Sequence, residues 1–185
     1  MVKITPFSTS IYISDIDIDY TDINQEILQH QETDSGAQYS NIGGWQSTSY
    51  YVVKHNFINT LFNVIKPKLN IIYNEMLVNS DVSLINYWFN VNKKFDYNMM
   101  HQHAFSYYSA VLYTKTPVNS GNLVFRRPDR LRETVEFKDV NEHNFGIYWT
   151  QPEVGKLIIF PSFLEHYVEQ NLSDDMRISI AFNFR

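Results

Sequence analysis

The stretch GKLIIFPSFLEHYVEQNLSDDMRISIAFNFR, residues 155–185, is the most informative part of the sequence for the fold. Its two runs KLIIF and RISIAFNF are rich in Ile and Phe and are bounded by Gly, Pro and Asp, which predicts two β-strands. Side chains two residues apart in a strand share a face, so Arg177 and Ser179 point together. His166 lies between the two strands and is expected to face the same cavity.

Similar runs occur upstream, separated by clusters of Gly, Pro, Asn and Asp. They are residues 82–91, 106–113 and 123–125. Together with the two C-terminal runs they predict at least five strands, which is typical of an antiparallel sandwich or jelly roll. Phe, Trp and Tyr make up 16% of the chain, and these residues suit a pleated surface that is packed on one side.

The N-terminal region has a different pattern. We predict a strand near residues 10–14, a helix over 21–30, a turn-rich loop over 34–49 and a second helix over 56–77, whose apolar residues recur every three or four positions. Pro67 is expected to kink or divide that second helix. The fold class is therefore mainly β (α+β), with N-terminal helices packed on one sheet.

No internal repeat or low-complexity linker divides the sequence. We therefore expect one domain over residues 1–185, with helical support over about 1–79 and a jelly-roll core over about 80–185.

The amino-acid composition excludes several classes of function. There is no cysteine, so thiolate metal sites and cysteine nucleophiles are excluded, and histidines and carboxylates remain as metal ligands. The net charge of −5 argues against nucleic-acid binding, and the arginine-rich stretch 125–132 reads as a solvated loop or, alternatively, a contact for an anionic partner. Neither a membrane-crossing apolar run nor a secretory signal occurs, so we expect a soluble cytoplasmic protein with no membrane partner.

His101 and His103 stand two residues apart at the start of a predicted strand, so both should project from one face. A jelly roll can bring His166 opposite this pair. Three imidazoles on one face leave positions open for water or substrate, as a non-haem Fe(II) site requires. The other histidines read as surface or core residues: His30, His55 and His143.

Arg177 and Ser179 add a second chemistry. A guanidinium beside a hydroxyl is a suitable clamp for a carboxylate of the ligand. The alternative for Arg177 is a salt bridge to a neighbouring Asp or Glu.

These elements resemble the Fe(II)- and 2-oxoglutarate-dependent oxygenases, whose pattern is His-x-Asp/Glu, a distant His and then Arg-x-Ser. The chain is most similar to a bacterial and phage group related to prolyl hydroxylases. The similarity runs from about Ser83 to the end of the sequence through five segments: residues 87–92, 101–113, 120–125, 155–166 and 177–183. The last two are the most specific.

The resemblance implies a double-stranded β-helix (a cupin-like jelly roll) and a dioxygenase that uses Fe(II), dioxygen and 2-oxoglutarate. His101 and His166 would bind iron, and Arg177 and Ser179 would bind the C5 carboxylate of 2-oxoglutarate. Two further residues stand where related enzymes contact the cosubstrate: Asn90 and Tyr113. The implied substrate is a protein or peptide side chain, such as proline, or a small amino acid.

His103 departs from the family pattern, because it stands where the carboxylate is usual. It is either a third neutral iron ligand, or it lies beside the iron without binding it while an exogenous anion fills the open position. Asp96 is a further, poorly placed candidate ligand.

Two other classes stay open. One is a cupin-like Zn or Ni protein, or an isomerase, without 2-oxoglutarate chemistry; Arg177 and Ser179 speak against it. The other is a non-catalytic module with the oxygenase fold. The oligomeric state and the primary substrate do not follow from the sequence.

Overall fold

The computed structural model describes residues 2, 8–129, 131–141 and 143–185. Two antiparallel sheets and three helices make up the described part. The larger sheet contains β1 (Tyr12–Asp15), β3 (Trp45–Gln46), β4 (Leu84–Asn92), β6 (Tyr108–Lys115), β9 (Lys156–Pro161) and β11 (Arg177–Phe184). The smaller sheet contains β2 (Asn41–Ile42), β5 (Tyr97–His101), β7 (Leu123–Arg126), β8 (Ile147–Thr150) and β10 (His166–Val168). The helices are α1 (Thr21–Thr33), α2 (Asn56–Glu75) and α3 (Leu131–Thr134).

Strand order shows how the chain winds between the sheets. Neighbours run β1-β9-β6-β11-β4-β3 in the larger sheet and β2-β5-β10-β7-β8 in the smaller one. Strands that are consecutive in sequence therefore often lie in different sheets, as a jelly roll requires. The predicted fold class, a jelly roll with helices on one sheet, is confirmed.

The side chains of strand β11 point alternately to the two faces of the larger sheet. Its eight residues are all buried, and they alternate between two environments. Ile178, Ile180 and Phe182 belong to the apolar core shared with α1 and α2. The alternate positions Arg177 and Ser179 line the cavity between the sheets, as the two-residue period predicts.

Helix α2 covers the larger sheet with an apolar stripe. Five buried residues recur every three or four positions: Ile58, Leu61, Ile65, Leu69 and Ile72. Pro67 lies inside this helix, which continues past it, so the expected division does not occur. Pro67 is exposed. It has no N–H to donate within the helix, so the carbonyl of the preceding turn that would accept this bond can bond to water. None of the described helices combines the length and the apolar character needed to cross a membrane.

The structure corrects several local predictions. The loop predicted over residues 34–49 contains the two-residue strands β2 and β3. His101 ends β5, a strand that we did not predict, and His103 lies in the loop after it rather than at the start of a strand. Strands this short, or interrupted by a bulge, carry too little alternation to be seen in sequence. The helical support predicted over residues 1–79 also supplies strands to both sheets, and residues 1 and 3–7 of it lie outside the described part.

Candidate metal centre

Two of the candidate ligands meet across the smaller sheet. His101 on β5 and His166 on β10 are direct register partners, and their ring centroids lie 4.3 Å apart. The pairing shifts between this pair and the next, Val168 with Asn98, so β5 carries one extra residue there. A bulge of this kind re-aims side chains and is common beside functional sites.

His103 reaches the same point from the loop after β5. Its backbone N–H donates to the carbonyl of Ser162 (2.9 Å), which ties the loop to the end of β9. Its ring centroid lies 5.3 Å from that of His101 and 5.0 Å from that of His166. One ligand nitrogen from each of the three rings lies within 4.8 Å of the others. The three imidazoles therefore converge on a single position.

Hydrogen bonds select the nitrogen that each ring offers. Nδ1 of His101 donates to the carbonyl of Met99 (2.7 Å), and Nδ1 of His166 donates to the carbonyl of Leu164 (2.8 Å). Since a carbonyl only accepts, each neutral ring carries its hydrogen on Nδ1 and keeps a lone pair on Nε2. Nε2 of His103 is buried and has no hydrogen-bond partner in the described part of the chain. Three lone pairs with no protein partner fit a bound metal ion.

A polar network holds His103 from behind. Nδ1 of His103 lies 2.8 Å from Oδ1 of Asn183 and 2.7 Å from Oγ of Ser109. The Nδ2 amide of Asn183 donates to Oδ1 of Asn86 (2.8 Å), so its oxygen faces the imidazole. Ser109 also bonds to Ser162 (2.8 Å). Because every member of this network is neutral, it fixes the ring without adding the negative charge that an Asp or Glu ligand would bring.

Burial keeps the imidazoles neutral, which is the form that binds a metal ion. It is the main cause that lowers the pKa of all three rings. Proximity of His101 also lowers the pKa of His103 and His166, and the net result for His103 is a pKa of about 4. The rings are therefore neutral near pH 7, which metal binding requires.

Arg177 supplies a fixed positive charge in the cavity. Its side chain is 1% exposed, and Nη1 donates to the carbonyls of Ser120 and Gly121. Burial lowers its pKa, and an arginine nevertheless stays protonated in proteins. The Asp96 carboxylate acts on it at longer range, but among the described residues no carboxylate lies within ion-pair distance. The salt-bridge alternative therefore does not hold, and the remaining donors of Arg177 are left for a ligand.

Gly121 allows this loop to pack closely against the segment that follows β10. It adopts φ +83°, and a Cβ there would lie 2.4 Å from the carbonyl oxygen of Glu169. The loop that carries the two carbonyls against Arg177 therefore needs glycine at this position.

A row of polar side chains crosses the larger sheet beside Arg177. Ser179 on β11 pairs with Asn90 on β4 and with Tyr113 on β6, and Asn90 pairs in turn with Gln46 on β3. Directly paired residues point to the same face, and all four line the cavity. The hydroxyl of Tyr113 is buried and has no partner among the described residues. Burial raises its pKa to about 12, so the phenol stays a donor at neutral pH.

One cavity of about 650 Å³ contains both groups of residues. Arg177 and Ser179 lie at one end of the inner face of β11, Asn183 with its bond to His103 lies at the other, and Ala181 lies between them. Ala181 is small, so it leaves open the path from the clamp to the histidines. An elongated ligand with an acidic end has room to reach from the guanidinium to the metal position.

The remaining sequence candidates lie elsewhere. Asp96 accepts the backbone N–H of Lys93 in a turn and is not part of the histidine group. His30 on α1 and His55 at the start of α2 meet edge to face in an aromatic cluster, and His143 is exposed. In the arginine-rich stretch 125–132, Arg126 pairs with Glu165 and Arg127 pairs with Asp129, while Arg130 and the side chain of Arg132 lie outside the described part.

Our sequence reasoning missed most of the other cavity residues, among them Gln46, Asn92 and Trp88. Asn92 and Trp88 share the face of Asn90 on β4, so the two-residue period was a usable signal for both. Gln46 lies in a strand of two residues, and we find no signal in the sequence that would have identified it.

The comparison with known families agrees with this geometry. Residues 86–183, more than half of the chain, match the family described as "Putative 2OG-Fe(II) oxygenase". The chain therefore belongs to the 2OG-Fe(II) oxygenase family, in which Fe(II) is the metal and 2-oxoglutarate the cosubstrate. The matched span includes all three histidines, Arg177 and Ser179. No curated protein sequence matches the chain.

Solved structures share the fold at low identity. A prolyl-4-hydroxylase from Pseudomonas putida matches with a TM-score of 0.66 and 14% identity, over 96% of this chain and 93% of that one. The α-ketoglutarate-dependent carbocyclase SnoK of nogalamycin biosynthesis matches with a TM-score of 0.65 and 14% identity, over 95% of this chain and 79% of that one. An oxidoreductase of the 2OG-Fe(II) oxygenase family from Burkholderia pseudomallei has a TM-score of 0.55 and 14% identity. That match covers 72% of this chain and 58% of that protein.

Proposed function

We propose that this chain is a hydroxylase that binds Fe(II) through His101, His103 and His166 and binds 2-oxoglutarate through Arg177. The observation that carries the proposal is the buried guanidinium of Arg177, which has no carboxylate within ion-pair distance among the described residues and shares a cavity with three converging imidazoles. A non-redox metal protein has no need of such a cation, whereas a dicarboxylate cosubstrate needs a partner for its distal charge.

One end of the cavity would bind the cosubstrate, and the other would hold the metal. Arg177, Ser179 and the Tyr113 phenol would donate to the C5 carboxylate, and Asn90 would contact the same ligand from β4. Phe125 and Phe160 pack against His166, with ring centroids 6.0 and 4.7 Å away, and exclude water from that side of the metal position. The iron supplies the oxidation chemistry when it is bound. The protein orients the cosubstrate and substrate.

The proposed reaction consumes one substrate C–H bond, one dioxygen and one 2-oxoglutarate. It yields the C–OH product, succinate and CO₂, with one oxygen atom in the alcohol and one in succinate. Hydroxylation is favoured because a prolyl-4-hydroxylase shares the fold over nearly the whole of both chains. The carbocyclase among the similar structures shows that the same fold carries other oxidations. The substrate would be a peptide side chain or a small amino acid.

Anaerobic titration with Fe(II) and 2-oxoglutarate tests the proposal. A weak visible charge-transfer band should appear only when both are present, and admission of air should release succinate even without substrate. Glutarate lacks the keto oxygen, so it should compete for the clamp without producing the band. If saturating 2-oxoglutarate neither produces the band nor changes thermal stability, the assignment is wrong.

Zinc provides the control for redox chemistry. The zinc-loaded protein should still gain thermal stability from 2-oxoglutarate but should form no succinate. Succinate formation that is equal with zinc and with iron would contradict an iron-dependent oxidation.

A further inference from the structure

The cavity contains very little charge. Among the described residues that line it, Arg177 is the single side chain that is permanently charged, and Lys, Asp and Glu are absent. The proposed function already assigns that cation to 2-oxoglutarate. A free amino acid would bring an ammonium into this space with no carboxylate among the described lining residues to pair with it, and an unpaired charge is costly to bury.

Three primary amides line the same cavity and make no side-chain hydrogen bond within the described part of the chain. They are Gln46, Asn90 and Asn92, with exposures of 5%, 8% and 2%. Gln46 and Asn90 are register partners, and Asn92 pairs with Arg177 two residues further along β4. Gly44, next to β3, makes room for Asn92, because a Cβ there would lie 2.5 Å from Nδ2 of Asn92.

Each amide offers both a donor and an acceptor. At neutral pH, 2-oxoglutarate is a dianion that only accepts hydrogen bonds, so it can satisfy N–H groups but not the amide oxygens. The amide oxygens are open to the cavity and not fully buried, so an occupant that covers them without offering a donor would remove their hydrogen bonds to water. An occupant that carries N–H groups and no ammonium therefore suits this part of the cavity.

We infer that Gln46, with Asn92 diagonal to it on β4, forms a substrate subsite that recognises an uncharged secondary amide, while Asn90 between them serves the cosubstrate. The inference rests on the proposed function and deepens it. A secondary amide presents one N–H and one C=O in a plane, which matches the donor and acceptor of Gln46. A peptide backbone and a neutral carboxamide metabolite share this chemistry.

The rim of the cavity agrees with an occupant that continues outward. Tyr39 and Tyr51 line it and are 66% and 72% exposed, and Met99 and Met100 lie on the opposite side, from β5. Apolar and aromatic side chains at the entrance suit a neutral chain better than a zwitterion.

Binding of matched probes to the anaerobic Fe(II) and 2-oxoglutarate complex tests the inference. The probes are N-acetyl, N-methylamide derivatives of proline, valine, leucine and asparagine, each compared with the same free amino acid. We expect at least one capped probe to bind with millimolar or better affinity and about tenfold more tightly than its free counterpart. Ac-X-Gly-NHMe peptides and X-carboxamides, where X is each of the same four amino acids, distinguish a peptide from a small metabolite.

Gln46→Leu should reduce the preference for that capped probe to roughly threefold or less, because it removes the amide at similar volume. Gln46→Glu should shift the preference toward the free amine, since a carboxylate pairs with an ammonium. Gln25→Leu, on the exposed face of α1, is the matched control and should change nothing.

The possible outcomes distinguish a failure of the proposed function from a failure of the amide subsite. If 2-oxoglutarate produces no band in the unaltered protein, the proposed function fails. If the band forms but no capped probe binds, or free amino acids bind equally well, the amide subsite is wrong. A Gln46→Leu variant that loses the 2-oxoglutarate band also overturns it, because the side chain then serves the cosubstrate.

Discussion

His101 and His166 face each other as register partners on β5 and β10, and each Nδ1 is bonded to a carbonyl two residues earlier in its own chain segment. The strand pairing and these local bonds leave both Nε2 atoms directed away from the backbone, so two ligands are preorganised before any metal binds. His103 completes the group from a loop, and its own support comes from the larger sheet. The metal position therefore depends on how the two sheets face each other.

The role of His103 can be separated from a merely supporting role by substitution. Loss of a supporting residue typically costs about 10 to 100-fold in metal affinity. If His103 is a ligand, we expect His103→Ala to exceed that range, and His103→Asp to retain iron because it restores the carboxylate of the usual family pattern. Anaerobic competition with a chelator measures the affinity.

His166→Ala should abolish iron retention, while His143→Ala, at an exposed position, should leave it unchanged. An iron affinity of His103→Ala within a few-fold of the original would contradict ligation by this residue.

Arg177 should govern cosubstrate binding and not metal binding. Arg177→Met removes the charge but keeps much of the apolar stem, and loss of a buried, charge-paired contact costs on the order of 2 to 5 kcal/mol. We expect 2-oxoglutarate affinity to fall accordingly while iron affinity changes little. Arg126→Met, in an exposed pair with Glu165, is the control. Equal weakening of 2-oxoglutarate in both variants would argue against the clamp.

Where the sequence pattern was strong, the fold could be predicted. The strand predicted over residues 177–184 matches β11, because its alternation of polar and apolar residues reflects two different environments. Helix α2 was visible for the same reason, since one stripe of apolar residues packs on the sheet. These periodicities report local burial, and local burial is what a single sequence encodes most directly.

The site was only partly predictable, because long-range contacts build it. The same-face argument for His101 and His103 assumed a continuous strand, whereas β5 contains a bulge and ends at His101. The bond from Arg177 to Ser120 joins residues 57 positions apart. Gln46 enters the cavity through a strand too short to show a period. Such contacts depend on which strands become neighbours, and short-range patterns carry little of that information.

Tyr113 should show a conflict between stability and function. Its hydroxyl is buried without a partner in the described part of the chain, and an unsatisfied group of this kind costs about 1 to 3 kcal/mol. Tyr113→Phe should therefore raise the free energy of unfolding of the ligand-free protein and weaken 2-oxoglutarate binding. Denaturant unfolding and cosubstrate titration measure the two effects.

Tyr73 provides the matched control, since its hydroxyl is also buried without a partner among the described residues but lies on α2, in the apolar core. Tyr73→Phe should stabilise the protein and leave 2-oxoglutarate binding unchanged. A destabilised Tyr113→Phe variant would show that the phenol already has a partner in the ligand-free state.

His55 should make stability depend on pH at a point distant from the metal position. Its Nδ1 lies 2.9 Å from the hydroxyl of Tyr87, and its ring lies 5.7 Å from that of His30, which in turn contacts Tyr50 and Asp34. Burial, followed by the neighbouring His30 and Lys54, lowers the pKa of His55 below its ordinary value of 6.5. The unfolded chain therefore takes up a proton there before the folded chain does, and folding loses stability as pH falls below 6.5.

His55→Asn removes the titrating ring and keeps a polar side chain at the start of α2, where Asn is a favourable cap. Urea unfolding measures the free energy of unfolding of both proteins from about pH 8 to about pH 5. The difference in this free energy between the unaltered protein and the variant should be constant above the ordinary histidine pKa. At lower pH the unaltered protein should lose stability relative to the variant, because only the unaltered protein contains His55, which is harder to protonate in the folded chain. His143→Asn, at an exposed position, should track the unaltered protein throughout. Curves for His55→Asn that stay parallel to the original at every pH would show that the ring is as easily protonated in the folded chain as in the unfolded one.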